Sequence, residues 1–241
     1  MTTVSKHVIL IVSLGGIMTF GKRRNKVVEE EDEDTTAEEP SESTQKLKIN
    51  LGQLLGGAGS KDPRILGLFG PVEEEKAGEL CYHLITMSEP EEPEEGEEAE
   101  AEKPEDIKFY VSTYGGSADD MFSIYDVMNF AKQRCDIQTI GLGKVMSAGV
   151  LLLAAGTKGK RKIGRNCRVM IHAVSAGNMG SLHNLVNELD EIQNLQESYI
   201  DAIVENSNFT KKTLKRLLDR KVNVYLSAEE AIEHGIADEM I

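Results

Sequence analysis

Ser147 and His172 are the residues whose types and surroundings suggest chemistry. Around them, from Gly141 to Val174, the chain reads GLGKVMSAGVLLLAAGTKGKR, then KIGRNC, then RVMIHAV. A strand-like run from Ile137 to Leu142 is expected to break at Gly143. A Ser-Ala-Gly turn then opens an apolar helix expected from about Ala148 to Ala155. Ser147 therefore stands where a helix begins, beside unpaired backbone N–H groups and the positive end of the macrodipole. RVMI has the character of a short buried strand, and it delivers His172 at its end. A hydroxyl at a helix N-terminus, with an imidazole leaving a core strand, is what acyl transfer needs: a nucleophile, a base and nearby oxyanion donors.

Each residue also has a plainer role. A serine before an apolar helix is most often an N-cap. A histidine ending a buried strand is more often a hydrogen-bonded structural residue than a base. The turn VMSAG is not the nucleophile elbow G-x-S-x-G, because Val145 stands where the first glycine belongs. On residue chemistry alone, both roles stay open for both residues.

The elements that must position this pair follow from periodicity. ILGLFGPV, starting near Arg64, reads as a first strand, and EEEKAGELCYHLITM as an amphipathic helix with Leu80, Leu84 and Met87 inward. Ile107 to Val111 is a second strand that ends at Thr113-Tyr114-Gly115-Gly116, ahead of a helix from Asp119 to Lys132. Two glycines at a strand end permit close backbone approach or positive φ. Beyond His172 a turn-rich stretch leads to a long amphipathic helix, Leu182 to Glu205. Its apolar positions Leu182, Leu185, Leu189, Ile192, Leu195, Tyr199 and Ile203 recur every three or four residues. Thr210 to Arg220 is a basic helix and Val222 to Leu226 a strand, and Ser227 with Glu230 forms a capping box for the last helix. Alternating strands and helices imply an α/β layered fold.

The 241 residues carry a formal charge of −14, from 41 acidic and 27 basic residues, but the excess is local. Glu29 to Glu42 holds 9 acidic residues, and Glu89 to Asp106 holds 11 with one lysine. Setting these aside leaves 21 acidic against 26 basic residues, so the low pI belongs to two segments and not to the fold. Such Glu- and Pro-rich runs bury too little apolar surface to offset their ordering entropy and are expected to be disordered. The organisation expected is a 1–62 region, comprising an apolar segment, an acidic tail and a Gly-rich linker, followed by a 63–241 domain interrupted by an acidic insertion at 88–106.

Several function classes are disfavoured. No basic stripe with interleaved aromatics supports nucleic-acid binding. Val8 to Phe20 is apolar but only thirteen residues long, short of the roughly 20 that span a bilayer, so a membrane anchor is not expected. Cys81, Cys135 and Cys167 are too few and too scattered for a disulfide framework and fit buried thiols in a reducing cytoplasm. Cys81 and His83 lack a second ligand pair, so no metal site is expected.

Several motifs follow one another in a telling order: FYVSTYGGSADD, MFSIYDVMNFAK, MSAG with LLLAAGTKGKR, RVMIHAV, a glycine-containing stretch with a long helix, and YLSAEEAIEHGIADEMI. Through them the chain from Ile107 to its C-terminus resembles the proteolytic subunit of the Clp protease, a self-compartmentalising serine peptidase. The resemblance implies the ββα-spiral fold shared with crotonases and a projecting handle helix where two rings meet. It implies Ser147 as nucleophile, His172 as base, and the N–H groups of Gly116 and Ala148 as the oxyanion hole. It further implies unfolded polypeptide substrates, an AAA+ unfoldase as partner, a homo-oligomer of heptameric rings that can stack to a fourteen-mer, and no cofactor. The ATP requirement would lie with that partner, since no P-loop occurs in this chain.

Three positions depart from the family. Tyr114 replaces the proline usually found before the glycines. Registering on YLSAEEA, Asn223 occupies the place of the catalytic aspartate, and Asn223-Val224 replaces the Asp-Arg pair that many relatives use between rings. Asparagine can hold the imidazole through its carbonyl but supplies no charge to the imidazolium. Asp219, four residues earlier, is the nearby carboxylate and is expected to belong to a helix end. Three rival functions follow: a weakly active or inactive subunit of a mixed ring, a processing protease such as one that matures a viral capsid, and, ranked last, a crotonase-type acyl-CoA enzyme.

Overall fold

The computed structural model describes residues 64–90, 103–177, 179–220 and 222–241. The expectations for residues 1–63 and for the acidic run over 91–102 lie outside these residues. The described chain runs β1 (Ile65–Phe69), α1 (Glu74–Ser88), β2 (Ile107–Thr113), α2 (Ala118–Ala131), β3 (Ile137–Met146), α3 (Ala148–Ala154), β4 (Lys162–Ile163), β5 (Arg168–Ile171), α4 (Leu182–Glu205), α5 (Lys211–Leu218), β6 (Val224–Leu226), α6 (Ala228–Glu233) and β7 (Glu239–Met240). The strand order is β1-β2-β3-β4-β7, all parallel, with β5 branching from β3 and β6 pairing antiparallel to β5. This is the α/β architecture that the alternation of elements implied.

Period-two burial builds the sheet. Ile107, Phe109, Val111 and Thr113 of β2 are fully buried while the residues between them are not. Helix α2 buries Met121, Ile124, Tyr125 and Met128, a stripe with helical spacing, and Ser117 caps it by accepting the Asp120 N–H. Helix α1 places Leu80 and Leu84 in the core and Met87 against it. Ser227 and Glu230 make the expected reciprocal capping box.

The long strand β3 corrects one expectation. It does not stop at Leu142 but continues to Met146. Val111 pairs with Gly141 while Thr113 pairs with Val145, so β3 carries two extra residues at a bulge. Gly143, at φ +64, takes the bend that a side chain would resist. A glycine ends a strand only when no ladder waits beyond it. Here β3 changes neighbour at the bulge, pairing with β4 through Ile140 and Gly141 and with β5 through Lys144, Val145 and Met146.

Helix α4 is buried only towards its end, at Tyr199, Ile200, Ala202 and Ile203. Leu182, Val186 and Leu189 in its first half are 72, 50 and 54% exposed, so the apolar stripe there has no cover from the described chain.

Arg161, 4% exposed, ties the C-terminal part together. Its guanidinium holds the Asp238 carboxylate through Nε and Nη2, while Nη1 donates to the carbonyls of Ala154 at 3.1 Å and Asn206 at 2.6 Å. One side chain thus joins the ends of α3 and α4 to the segment entering β7. Asp238→Ala leaves a buried cation unpaired and is expected to cost about 3 kcal/mol. Urea unfolding checks this, and a loss under about 1 kcal/mol, the range of an exposed pair, would remove the clamp from this account.

Candidate active site

The parallel ladder between β3 and β5 brings two distant segments together. Met146 pairs with Met170, and the next bond runs from the Ser147 N–H to the Met170 carbonyl at 2.8 Å. Ser147 is thereby held beside the strand that ends one residue before His172. Ser147 Oγ and His172 Nε2 lie 2.9 Å apart. In the neutral ring with its proton on Nδ1, the hydroxyl donates to Nε2.

Ser147 does not play the plain N-cap role. Its side chain makes no capping bond, and its backbone sits at φ 57, ψ −120. It is the single non-glycine residue with positive φ among the described residues. Such a conformation costs on the order of 1–3 kcal/mol and persists only where the surroundings impose it. The ladder bond on one side and the fully buried helix α3 on the other impose it here. A sharp strand-to-helix turn therefore forms although Val145 stands where the elbow motif has glycine.

The double glycine packs directly against this turn. Gly115 adopts φ +100, and a Cβ there would fall 2.6 Å from Ser147 Cβ. A Cβ on Gly116 would fall 2.0 Å from the Val72 carbonyl oxygen. Thr113 Oγ1 accepts the Gly115 N–H at 2.9 Å. Val72 N–H donates to the Gly115 carbonyl and Ser117 N–H to the Val72 carbonyl, while the Gly116 N–H donates to no acceptor among the described residues. Ala148 is the first residue of α3, so its N–H lies beyond the reach of the intrahelical ladder. Tyr114 is half exposed, with Lys144 Nζ 4.8 Å above its ring.

His172 is half buried, and burial pushes its pKa below the ordinary 6.5. Removing water penalises the imidazolium, so the ring is neutral at pH 7 and able to take a proton. Asn223 is placed differently. The β5–β6 ladder ends at the pair Ile171–Val224, so Asn223 and His172 are the residues immediately beyond its last step. Yet Asn223 is exposed, and no hydrogen bond joins it to His172 among the described residues. Asp219 is the exposed C-cap of α5, at the helix end expected of it.

Helix α4 supplies two contacts that periodicity does not reveal. Tyr199 Oη donates to the Ser147 carbonyl at 3.1 Å, and Gln196 Oε1 accepts the Val174 N–H at 3.2 Å. The sequence signal for Tyr199 is its hydroxyl, the single polar group in an otherwise aliphatic stripe. No group of three or more His, Cys, Asp or Glu side chains among the described residues could hold a metal ion. The three cysteines are free, Cys135 and Cys167 buried and Cys81 partly so. No helix among the described residues is long and apolar enough to cross a membrane.

Comparison with known proteins bears on the whole of this arrangement. The model of the Clp protease family matches residues 61–241. The chain is 33% identical over 180 residues to the ATP-dependent Clp protease proteolytic subunit 1 of Corynebacterium jeikeium, covering 74% of this chain and 87% of that protein. It is 40% identical over 139 residues to the protein of the same name from Prochlorococcus marinus, covering 57% and 69%. Since the matched region takes in every described element from β1 to β7, the chain belongs to the Clp protease family of serine peptidases.

Proposed function

We propose that this protein is a Clp-type serine endopeptidase in which Ser147 is the nucleophile and His172 the general base. The contact of 2.9 Å between Oγ and Nε2 carries this reading, at a strained turn beside the Ala148 N–H that opens α3 and the Gly116 N–H, which has no acceptor among the described residues. The serine oxygen attacks the peptide carbonyl while His172 takes its proton. The carbonyl oxygen becomes an oxyanion facing the N–H groups of Gly116 and Ala148. Collapse expels the amine, which receives the proton from His172, and leaves an acyl group on Ser147. Water, deprotonated by His172, then releases the acid and restores the serine.

Unfolded polypeptide is the substrate in this reading, delivered by an AAA+ unfoldase and cut inside heptameric rings that can pair into a fourteen-mer. The uncovered apolar stripe of α4 supports assembly, because Leu182, Val186 and Leu189 would otherwise face water. Loss of the Asp-Arg pair at Asn223-Val224 argues for a weaker contact between rings than relatives have. A second reading, a weakly active subunit of a mixed ring, draws on the exposure of Asn223.

A fluorophosphonate probe tests the assignment. Labelling of the purified protein and its loss in Ser147→Ala are expected, with peptide hydrolysis falling by at least about 10⁴-fold. A protein that resists the probe while folded is not a working peptidase.

The pH profile tests the base. A protonated imidazole cannot accept the serine proton, and burial disfavours that form. Activity should therefore fall only as pH drops through a value below 6.5, with kcat/KM flat through neutrality. An acid limb above pH 7 would assign the base elsewhere.

Asn223 is tested by two substitutions. Asn223→Asp sets a carboxylate opposite the ring, which raises the His172 pKa and moves the acid limb upward. If Asn223 orients the ring, Asp raises kcat and Ala lowers it. Unchanged kcat in both would show that another residue holds the imidazole.

A further inference from the structure

We infer that Tyr199 is a positioning residue that aims the Ala148 N–H at the oxyanion, an inference that rests on the peptidase reading above. The peptide unit joining Ser147 to Ala148 is a rigid plane whose carbonyl oxygen and N–H point in opposite directions. Whatever fixes the oxygen therefore aims the hydrogen.

Two donors reach that oxygen: the Val150 N–H at 3.0 Å and Tyr199 Oη at 3.1 Å. They fill its two lone pairs. They are not equivalent as anchors. Val150 belongs to the same helical turn and moves with it, so its bond cannot resist rotation of the turn as a body. Tyr199 comes from α4, 52 residues further along the chain, and is set in the core at 3% exposure beside Ile200 and Ile203. Its bond ties the peptide to a frame outside the turn. Ser147 needs such a tie, because the strain of its φ 57, ψ −120 conformation would be relieved by swinging this very peptide about ψ towards the left-handed helical region.

The chemistry of the side chain points the same way. A leucine or methionine would pack in this core site without a polar atom to satisfy. A buried phenol demands a partner, and among the described residues that partner is the carbonyl of Ser147. Burial pushes the Tyr199 pKa far up, so the hydroxyl remains a donor at every working pH. Donation to the carbonyl also polarises the peptide and strengthens its N–H as a donor on the other side. Gln196, one turn earlier on the same face of α4, accepts the Val174 N–H two residues past His172, so this helix braces both catalytic segments.

Tyr199→Phe keeps the ring and removes the bond. In the assembled full-length protein kcat for a fluorogenic peptide is expected to fall about tenfold with KM within about twofold, less than the 10²–10³ that loss of a whole oxyanion donor costs. Inhibition by a peptide boronic acid, which places a tetrahedral oxygen in the hole, should weaken by the same factor, while binding of the product peptide and the acid limb of the pH profile stay put. The ratio of boronate to product affinity does not depend on the folded fraction, so it remains decisive if the variant is less stable. A ratio equal to that of the parent protein would overturn the inference and leave the hydroxyl a purely structural one. If the parent protein itself takes no fluorophosphonate, or Ser147→Ala still does, the peptidase reading fails and this inference with it.

Discussion

One backbone hydrogen bond, from the Ser147 N–H to the Met170 carbonyl, underlies the site. It extends the parallel ladder of β3 and β5 by one step beyond the last paired residue of β3. A parallel register has no freedom to shift by one residue without turning every side chain to the opposite face. Here such a slip would take Val169 and Ile171 out of the core cluster and turn the exposed Arg168 and the half-buried His172 towards it. Core packing therefore locks the register, and the register brings a serine and a histidine 25 positions apart to 2.9 Å.

The strained turn is supported from several sides. All seven residues of α3 are buried, so the helix cannot rotate to relieve Ser147 without disturbing the centre of the molecule. Gly115, just past the end of β2, leaves no room for a side chain beside the serine, and the phenol of Tyr199 holds its carbonyl from α4. Arg161 fixes the far end of α3 through the Ala154 carbonyl. Burial at both ends and hydrogen bonds from three elements offset a local cost of a few kcal/mol.

Assignment to the Clp protease family rests on the matched length and on identity to two proteolytic subunits. What distinguishes this chain lies at the edges of that pattern. Tyr114 stands before the glycines under Lys144, and the exposed Asn223 lies immediately before β6. Burial is the force that lowers the His172 pKa, and no carboxylate bonds to its ring among the described residues. Such an imidazole holds a proton less tightly than one paired with a carboxylate, but it is neutral over a wider range of pH.

Local pattern in the sequence determined most of the elements. The caps at Ser117 and Ser227, the alternation in Ile107–Thr113 and the stripe of α2 depend on residues within a few positions of one another, so their physics is visible in a short window. The resemblance carried by MSAG, RVMIHAV and the paired glycines singled out Ser147 and His172 as well. Tertiary structure alone decided the rest. The extent of β3 beyond Gly143 depended on β5 arriving to pair with it, and the positive φ of Ser147 on constraints from both neighbours. Tyr199 joined the site because α4 folds back over the turn, a contact 52 residues long in sequence. Periodicity records which face of a helix is apolar; which atom meets that face is settled only when the chain closes on itself.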